Sequence, residues 1–369
     1  MGLLRTIRST LLDVIEAHER CGGRGRDDYF DEPIVHPMAE GKYLSTLATL
    51  HETRLLSADR MRSHADAALE RLAATSVATA PDEAAWGLGF HRADTEPDEP
   101  FVVTTAIVAS GLLDLPDGLG ADMATAACTW LDRAAPRTNV EVDGGRASLH
   151  LYSPSMPVLI VNAVAVAAAV LARAGLGGDT EPPTRWIVDR HVPGVGWPYA
   201  DDSPRVDLVH QCYVLNALLE LAGPELVEPA AMQVLGRFKD RTSFIDKLTL
   251  FPTDDPADEP PDTVLANAAS FAHHPGDGWL VRDPDPARDW SVGELLVLLA
   301  RLQIEGRRRR YWATMLRRTL TVAADRMAVH AEPGDDLSHR PRHAMHLAHG
   351  AASAVASLRS SRRAAALAP

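Results

Sequence analysis

Asp207 and His210 stand three residues apart at the head of the run Asp207 to Leu221, and a helix there puts both on one face. A helix N-terminus disfavours positive charge. The His210 imidazole should therefore stay neutral and take a proton near neutral pH, with Asp207 orienting it or acting as the partner acid. The plainer alternative is that Asp207 caps the helix and His210 is a satisfied core histidine. Just upstream, the turn Gly194 to Tyr199 carries two rings, Trp197 and Tyr199, that a short loop can point outward. Beyond His210 the residues Val214, Leu215, Ala217, Leu218 and Leu219 are apolar on almost every side, which marks an inner helix.

The elements that position these side chains recur along the chain. Trp86 to Phe90 precedes FVVTTAIVASGLLDL, and Leu149 to Tyr152 precedes VLIVNAVAVAAAVLARAG. Gly276 to Trp279 precedes DWSVGELLVLLARL. Weaker copies are Asp28-Tyr29-Phe30 before GKYLSTLATLHETRLL, and Pro333-Gly334 before HAMHLAHGAASAVASL. Each unit is a turn, a polar loop and an apolar helix, and such periods are the mark of a repeat architecture. Amphipathic helices fall between them at about 3–20, 58–75, 120–135, 182–192, 223–240 and 311–331. Six outer helices alternating with six inner ones predict an all-α fold, an (α/α)6 toroid. No linker separates two cores, so a single domain over 1–369 is expected, with 360–369 a disordered tail. An irregular bundle or solenoid is the alternative.

Polar residues near the start of each inner helix would converge on the cavity: Thr104 and Thr105, Asn162, Asp207, His210 and Gln211, Ser291 and Glu294, His343, His346 and His349, with Lys42 and Tyr43 in the first. Buried polar groups need partners or water, so such a ring implies a wet pocket. We expect His210, Asp207 and Asn162 at the chemical centre. Trp197, Tyr199, Trp86, Tyr152, Gln211, Thr105, Glu294 and His346 are expected to hold the substrate. Trp86, Phe90, Tyr152, Trp197, Tyr199 and Trp279 would line the mouth, and aromatic faces beside carboxylates and amides suit sugars; alternatively, they pack loop against helix.

Bulk composition excludes other classes. A net charge of -13 argues against a nucleic-acid partner, and Arg307 to Arg310 reads as a solvated helix junction. Cys21, Cys128 and Cys212 are odd in number and far apart, which fits a reducing, cytoplasmic location. No apolar run reaches the length of a membrane span; Pro157 to Ala172 contains Asn162 and is too short. The string Asp254 to Asp258 matches the DDxxD of prenyl-diphosphate enzymes, but prolines at 252, 256, 260 and 261 forbid the helix that would present it. Histidines at 273, 274, 343, 346 and 349 lack a partnering Cys or carboxylate, so neither a metal nor a cofactor is expected.

Three segments together resemble the VpsJ-like polysaccharide-biosynthesis proteins, a family of (α/α)6 toroids. They are Trp86 to Phe90 followed by Thr104-Thr105; Tyr152-Ser153-Pro154 before Val161-Asn162-Ala163; and Gly196, Trp197 and Tyr199 before Asp207 to His210. The chain departs from the family at His191-Val192-Pro193, where a Gln and an Asp often stand, and at Val209, where an Asn is common. The resemblance implies the toroid and work on glycans, while related toroids include sugar epimerases, glycoside hydrolases and polysaccharide lyases.

The leading expectation is a cytoplasmic carbohydrate-active enzyme working by acid/base chemistry on a sugar or glycan intermediate. Proton abstraction suits a neutral histidine, whereas hydrolysis asks for two carboxylates, for which Asp207 and Glu294 are the available pair. A second class is a cyclase-like or tailoring toroid acting on a peptide or isoprenoid. A third is a toroid that binds a glycan or partner without turnover.

Overall fold

Burial separates two kinds of helix in the computed structural model. It describes residues 2–27, 29–78, 80–91, 95–200, 203–240, 243–252, 270–274, 278–283, 285–335 and 337–367. Helices α1 (Gly2–Arg20), α3 (Ala58–Thr75), α5 (Ala121–Thr129), α7 (Glu181–Asp189), α9 (Pro224–Phe238) and α11 (Arg309–Ala331) bury one face each. Helices α2 (Pro37–Glu52), α4 (Val102–Asp114), α6 (Val161–Arg173), α8 (Leu208–Ala222), α10 (Asp289–Glu305) and α12 (Pro341–Leu367) are buried nearly all round over most of their length. Each inner helix packs on the next, from α2 through α4, α6, α8 and α10 to α12, and α12 returns to α2. Outer helices back them: α3 on α2, α5 on α4, α7 on α6, α9 on α8, α11 on α10, and α1 against α11 and α12. The closed ring is the (α/α)6 toroid that the alternation predicts.

Glycine sets two of the crossings. A Cβ on Gly111 of α4 would overlap the carbonyl oxygen of Gly41 on α2, and one on Gly350 of α12 would overlap that of Gly293 on α10. Backbones approach there as closely as they can.

The inner helices keep one register around the ring. Counted from each first residue, the second positions Met38, Val103, Asn162, Trp290 and Arg342 all line a pocket at the helix N-termini, joined in α8 by the third, His210. The sixth positions are Lys42, Ile107, Val166, Tyr213, Glu294 and His346. The ninth are Ser45, Ser110, Ala169, Asn216, Val297 and His349, and all six line a second cavity toward the C-termini. Steps of four and three residues keep one helix face toward the axis.

Strands occupy the connections that the composition left as loops. β1 (Arg24–Asp27) pairs with β2 (Phe30–Val35), and β3 (Arg137–Val142) with β4 (Gly145–His150). A four-stranded sheet runs in the order β5 (Arg205–Asp207), β8 (Lys247–Pro252), β10 (Gly278–Arg282), β9 (Ser270–His274), and β6 (Lys239–Asp240) pairs with β7 (Ser243–Phe244). The β3–β4 turn is Asp143-Gly144, with Gly144 at φ +86°, a residue pair that favours tight hairpins. Helix α12 runs to Leu367, so the tail expected from 360 on is helical as far as Leu367; the run Arg362 to Ala366 is built of strong helix formers.

Candidate functional site

The pocket at the N-terminal mouth is built where sheet meets helix. β5 ends at Asp207, which is also the N-cap of α8: its Oδ1 accepts the backbone N–H of His210 at 3.1 Å. The same oxygen lies 2.5 Å from His210 Nδ1, a short contact across the first turn that is an ion pair only when the imidazole is protonated. Asp207 is buried, which alone would raise its pKa, but the charge and hydrogen bonds of His210, with Arg288 beyond, hold it below the usual carboxylate range. With Nδ1 facing the carboxylate, Nε2 is the nitrogen able to exchange a proton with a ligand. The Tyr199 ring stands edge-on to His210 at 4.6 Å. Asn162 is 3% exposed, and its Oδ1 has no hydrogen-bond partner among the described residues. Asp207, His210, Asn162, Tyr199 and Tyr152 thus share one cavity of about 100 Å³, with Trp290 and four cationic side chains.

Other expected substrate contacts have structural roles. Trp86 is fully buried; its Nε1 donates to Leu72 O on α3 at 2.8 Å and its backbone N–H to Thr105 Oγ1 at 3.1 Å. Trp197 repeats the arrangement: Nε1 donates to Ile187 O on α7 at 2.7 Å and its N–H to Gln211 Oε1 at 2.8 Å. Thr105 and Gln211 are the fourth residues of their helices. Trp86, Trp197, Thr105 and Gln211 therefore pin two equivalent turns to the outer wall and do not line the mouth. Ser291 likewise donates to the buried Asp246 at 3.0 Å. The side chains of His273, His274 and Trp279, with Asp201, Asp202 and the acidic stretch Asp254 to Asp258, lie outside the described residues.

Glu294 and His346 lie deeper than expected, at the waist of the ring. His346 Nδ1 is 2.7 Å from the carbonyl oxygen of Arg342, which can only accept, so Nδ1 carries the proton. Nε2 then accepts from the Tyr213 hydroxyl at 2.8 Å. Burial, with the Lys42 charge next, keeps His346 far below its ordinary pKa. Glu294 Oε1 meets Lys42 Nζ at 2.5 Å. Below this layer opens a chamber of about 680 Å³, walled by Ile107, Val166, Ala169, Val170 and Val297. Both side-chain polar atoms of Asn216 and Nδ1 of His349 are buried there without hydrogen-bond partners among the described residues. No recurring turn motif marks this end, but the ninth-residue register would have found it.

Charge is the mouth's other property. Arg205 on β5, Lys247 on β8, Arg288 just before α10 and Arg342 on α12 all line it, against one lining carboxylate among the described residues, Asp207. Arg342 is held by Asp27 through two contacts of 2.7 Å, and Arg288 by Asp246 at 2.9 Å. Their guanidinium groups stack on the Trp290 ring at 4.2 and 4.6 Å. Among the described residues no group of three or more His, Cys, Asp or Glu is placed to hold a metal ion, and no helix is long and apolar enough to cross a membrane.

The ring, with its pockets at both ends, defines the class as a helical toroid. Two solved structures share the fold over nearly the whole chain. The type II terpene cyclase MstE from Scytonema, in an apo variant form, superposes with a TM-score of 0.55 at 11% identity, over 97% of this chain and 98% of its own. PssZ from Listeria monocytogenes superposes with a TM-score of 0.51 at 9% identity, over 89% of each chain. Identities this low speak for the fold alone. No protein-family model and no curated protein matches the chain, so the VpsJ-like resemblance rests on its three segments.

Proposed function

We propose that the chain is a carbohydrate-active enzyme that moves a proton on a sugar or glycan intermediate in the mouth pocket. His210 is the acid/base group through Nε2, Asp207 orients it, Asn162 offers a free acceptor, and Tyr199 and Tyr152 face the sugar. The observation that carries this reading is the Asp207–His210 contact of 2.5 Å in a cavity that also holds the unpartnered Asn162 Oδ1. A base fixed by a carboxylate is the usual arrangement for general acid/base catalysis. Epimerisation or elimination fits better than hydrolysis. The second carboxylate hydrolysis would need, Glu294, faces Lys42 in the other cavity, so the Asp207–Glu294 pair does not flank one bond. Three cysteines, odd in number and far apart in the chain, support a cytoplasmic location.

The test is deuterium wash-in. Uronic, amino and nucleotide sugars are incubated with the protein in deuterium oxide and followed by NMR. Wild type should exchange one carbon-bound proton and His210→Ala should not; exchange that survives in His210→Ala removes the reading. The chamber of about 680 Å³, whose mixed lining includes the apolar side chains Ile107, Val166, Val170 and Val297, favours a second reading, a tailoring enzyme for an isoprenoid. Isoprenoid diphosphates that raise the melting temperature where no sugar does would give that reading the lead.

A further inference from the structure

The mouth carries more positive charge than its fold explains. The whole chain has a net charge of -13, yet four permanent cations line this small cavity. Among the described residues Asp27, Asp246, which also lies 3.9 Å from Lys247, and Asp207 answer three of them at most, so an excess remains there whatever the state of His210. The positive ends of six inner helices point the same way, and cations there act against the helix dipoles. Arg342 is 5% exposed, so its charge is removed from water as well. Lys247 and Arg205 sit on the paired strands β8 and β5, with Lys247 opposite Asp207 across the ladder. Cations gathered at a site where field and burial both oppose them are compensated when an anion binds.

The chemistry proposed for His210 narrows the anion. A ring C–H of a neutral sugar, with no carbonyl beside it, is far too weak an acid for an imidazole. A C–H next to a carboxylate becomes accessible once that carboxylate's charge is neutralised, because the developing charge falls on its oxygens. We propose that the substrate is a uronate, its carboxylate held against Lys247, Arg205 and Arg288; this rests on the acid/base reading above. His210 Nε2 takes the proton from the carbon bearing the carboxylate, and the C–H electron pair moves into the carboxylate as an enolate. Delivery of a proton from water to the opposite face, with the His210 proton passing to solvent, gives the epimer. Expulsion of the oxygen on the next carbon gives an unsaturated sugar, with the His210 proton passing to the leaving oxygen. Neither course needs a reactant other than water.

The experiment pairs glucuronate with glucose and galacturonate with galactose, and adds glucose 1-phosphate and inorganic phosphate, in calorimetric titrations. The proteins are wild type, Lys247→Ala and Arg205→Ala, whose side chains are partly or well exposed. Each uronate should bind about tenfold or more tighter than its neutral partner, the worth of one moderate charge contact. Either substitution should remove most of that difference, and added salt should shrink it. Equal binding of charged and neutral partners overturns the inference and leaves the sugar reading standing. Binding of the phosphates without the uronates overturns it too. If uronates bind with this charge signature but wild type exchanges no deuterium, the substrate class holds and the catalytic reading falls.

Discussion

The two ends of the toroid's axis use charge in opposite ways. At the C-terminal rim the thirteenth residues of the inner helices include Asp114, Arg173, Glu220 and Arg301, paired as Arg173–Asp114 at 2.8 Å and Arg301–Glu220 at 3.4 Å. Arginine there meets both a neighbouring carboxylate and the negative helix ends, so structure alone accounts for it. At the N-terminal mouth the cations outnumber their partners among the described residues and face positive helix ends. One set of charges stabilises the ring; the other costs stability unless something binds. Between them the waist, with Tyr213 in the wall of both cavities, keeps the two environments apart.

Substitutions can break that contrast or sharpen it. The largest effect is expected from Gly111→Val, which forces α4 away from α2 and opens the ring, abolishing both cavities. We expect more than about 4 kcal/mol of destabilisation, or no folded protein at all, read from denaturant melts. Lys42→Met leaves Glu294, 1% exposed, without its cation and should cost about 3–5 kcal/mol. Adding Glu294→Leu to it should restore most of the loss; failure to restore would deny the pair its place as the floor of the chamber.

Acid should act through buried histidines away from the mouth. Burial, with the Arg137 charge next, lowers His150 to about 4; burial, with the His18 and His330 charges, lowers His339 to about 3. His346 and His349 lie far below their ordinary value for the same first reason. Their unfolded value is about 6.5. Between that value and the folded one the unfolded chain binds more protons, so stability is complete above about pH 6.5 and falls as pH drops toward 4 and then 3. His150 alone should account for about 3 kcal/mol of this slope. A melting temperature that stays flat from pH 7 to pH 4 would contradict it.

Smaller effects separate the two ends directly. Arg173→Met, at a half-exposed rim pair, should cost no more than about 1 kcal/mol. Lys247→Met, at the mouth, should cost nothing or add a few tenths of a kcal/mol while weakening anion binding. A clear loss of stability from Lys247→Met would mean that the mouth cations are structural after all.

The ring was legible in the sequence because inner and outer helices differ so plainly in apolar coverage: α4 and α6 carry no charged residue before their thirteenth position, while α3 alternates Arg, Asp and Glu with alanine. Pocket depth was less legible. Asn162, His210, Thr105, Glu294 and His346 all read as lying near a helix start, yet they stand at positions two, three, four, six and six. At 1.5 Å per residue, two to six positions span about 6 Å, the distance from the mouth to the waist. Helix starts read from sequence are uncertain by a residue or two, enough to blur that layering. The aromatics posed a different difficulty. Trp197 and Tyr199 lie in one turn with similar chemistry, and what sends one inward is the carbonyl of Ile187 on a helix ending several residues earlier. The strands escaped because the composition favours helix, although Asp143-Gly144 between alternating residues was a readable hairpin signal.

The contact of α12 with α2 joins segments that start roughly 300 positions apart in the chain. Contacts of that sequence separation are slow to form, because a long intervening chain must be drawn together first. Hairpins of outer and inner helix can assemble in order during synthesis, but until α12 emerges the product is an open arc. Its free end at α10 exposes the backbone around Gly293, a face shaped for the close approach of α12. Speed of ring closure, more than final stability, then governs how much of the newly made chain escapes association with its neighbours.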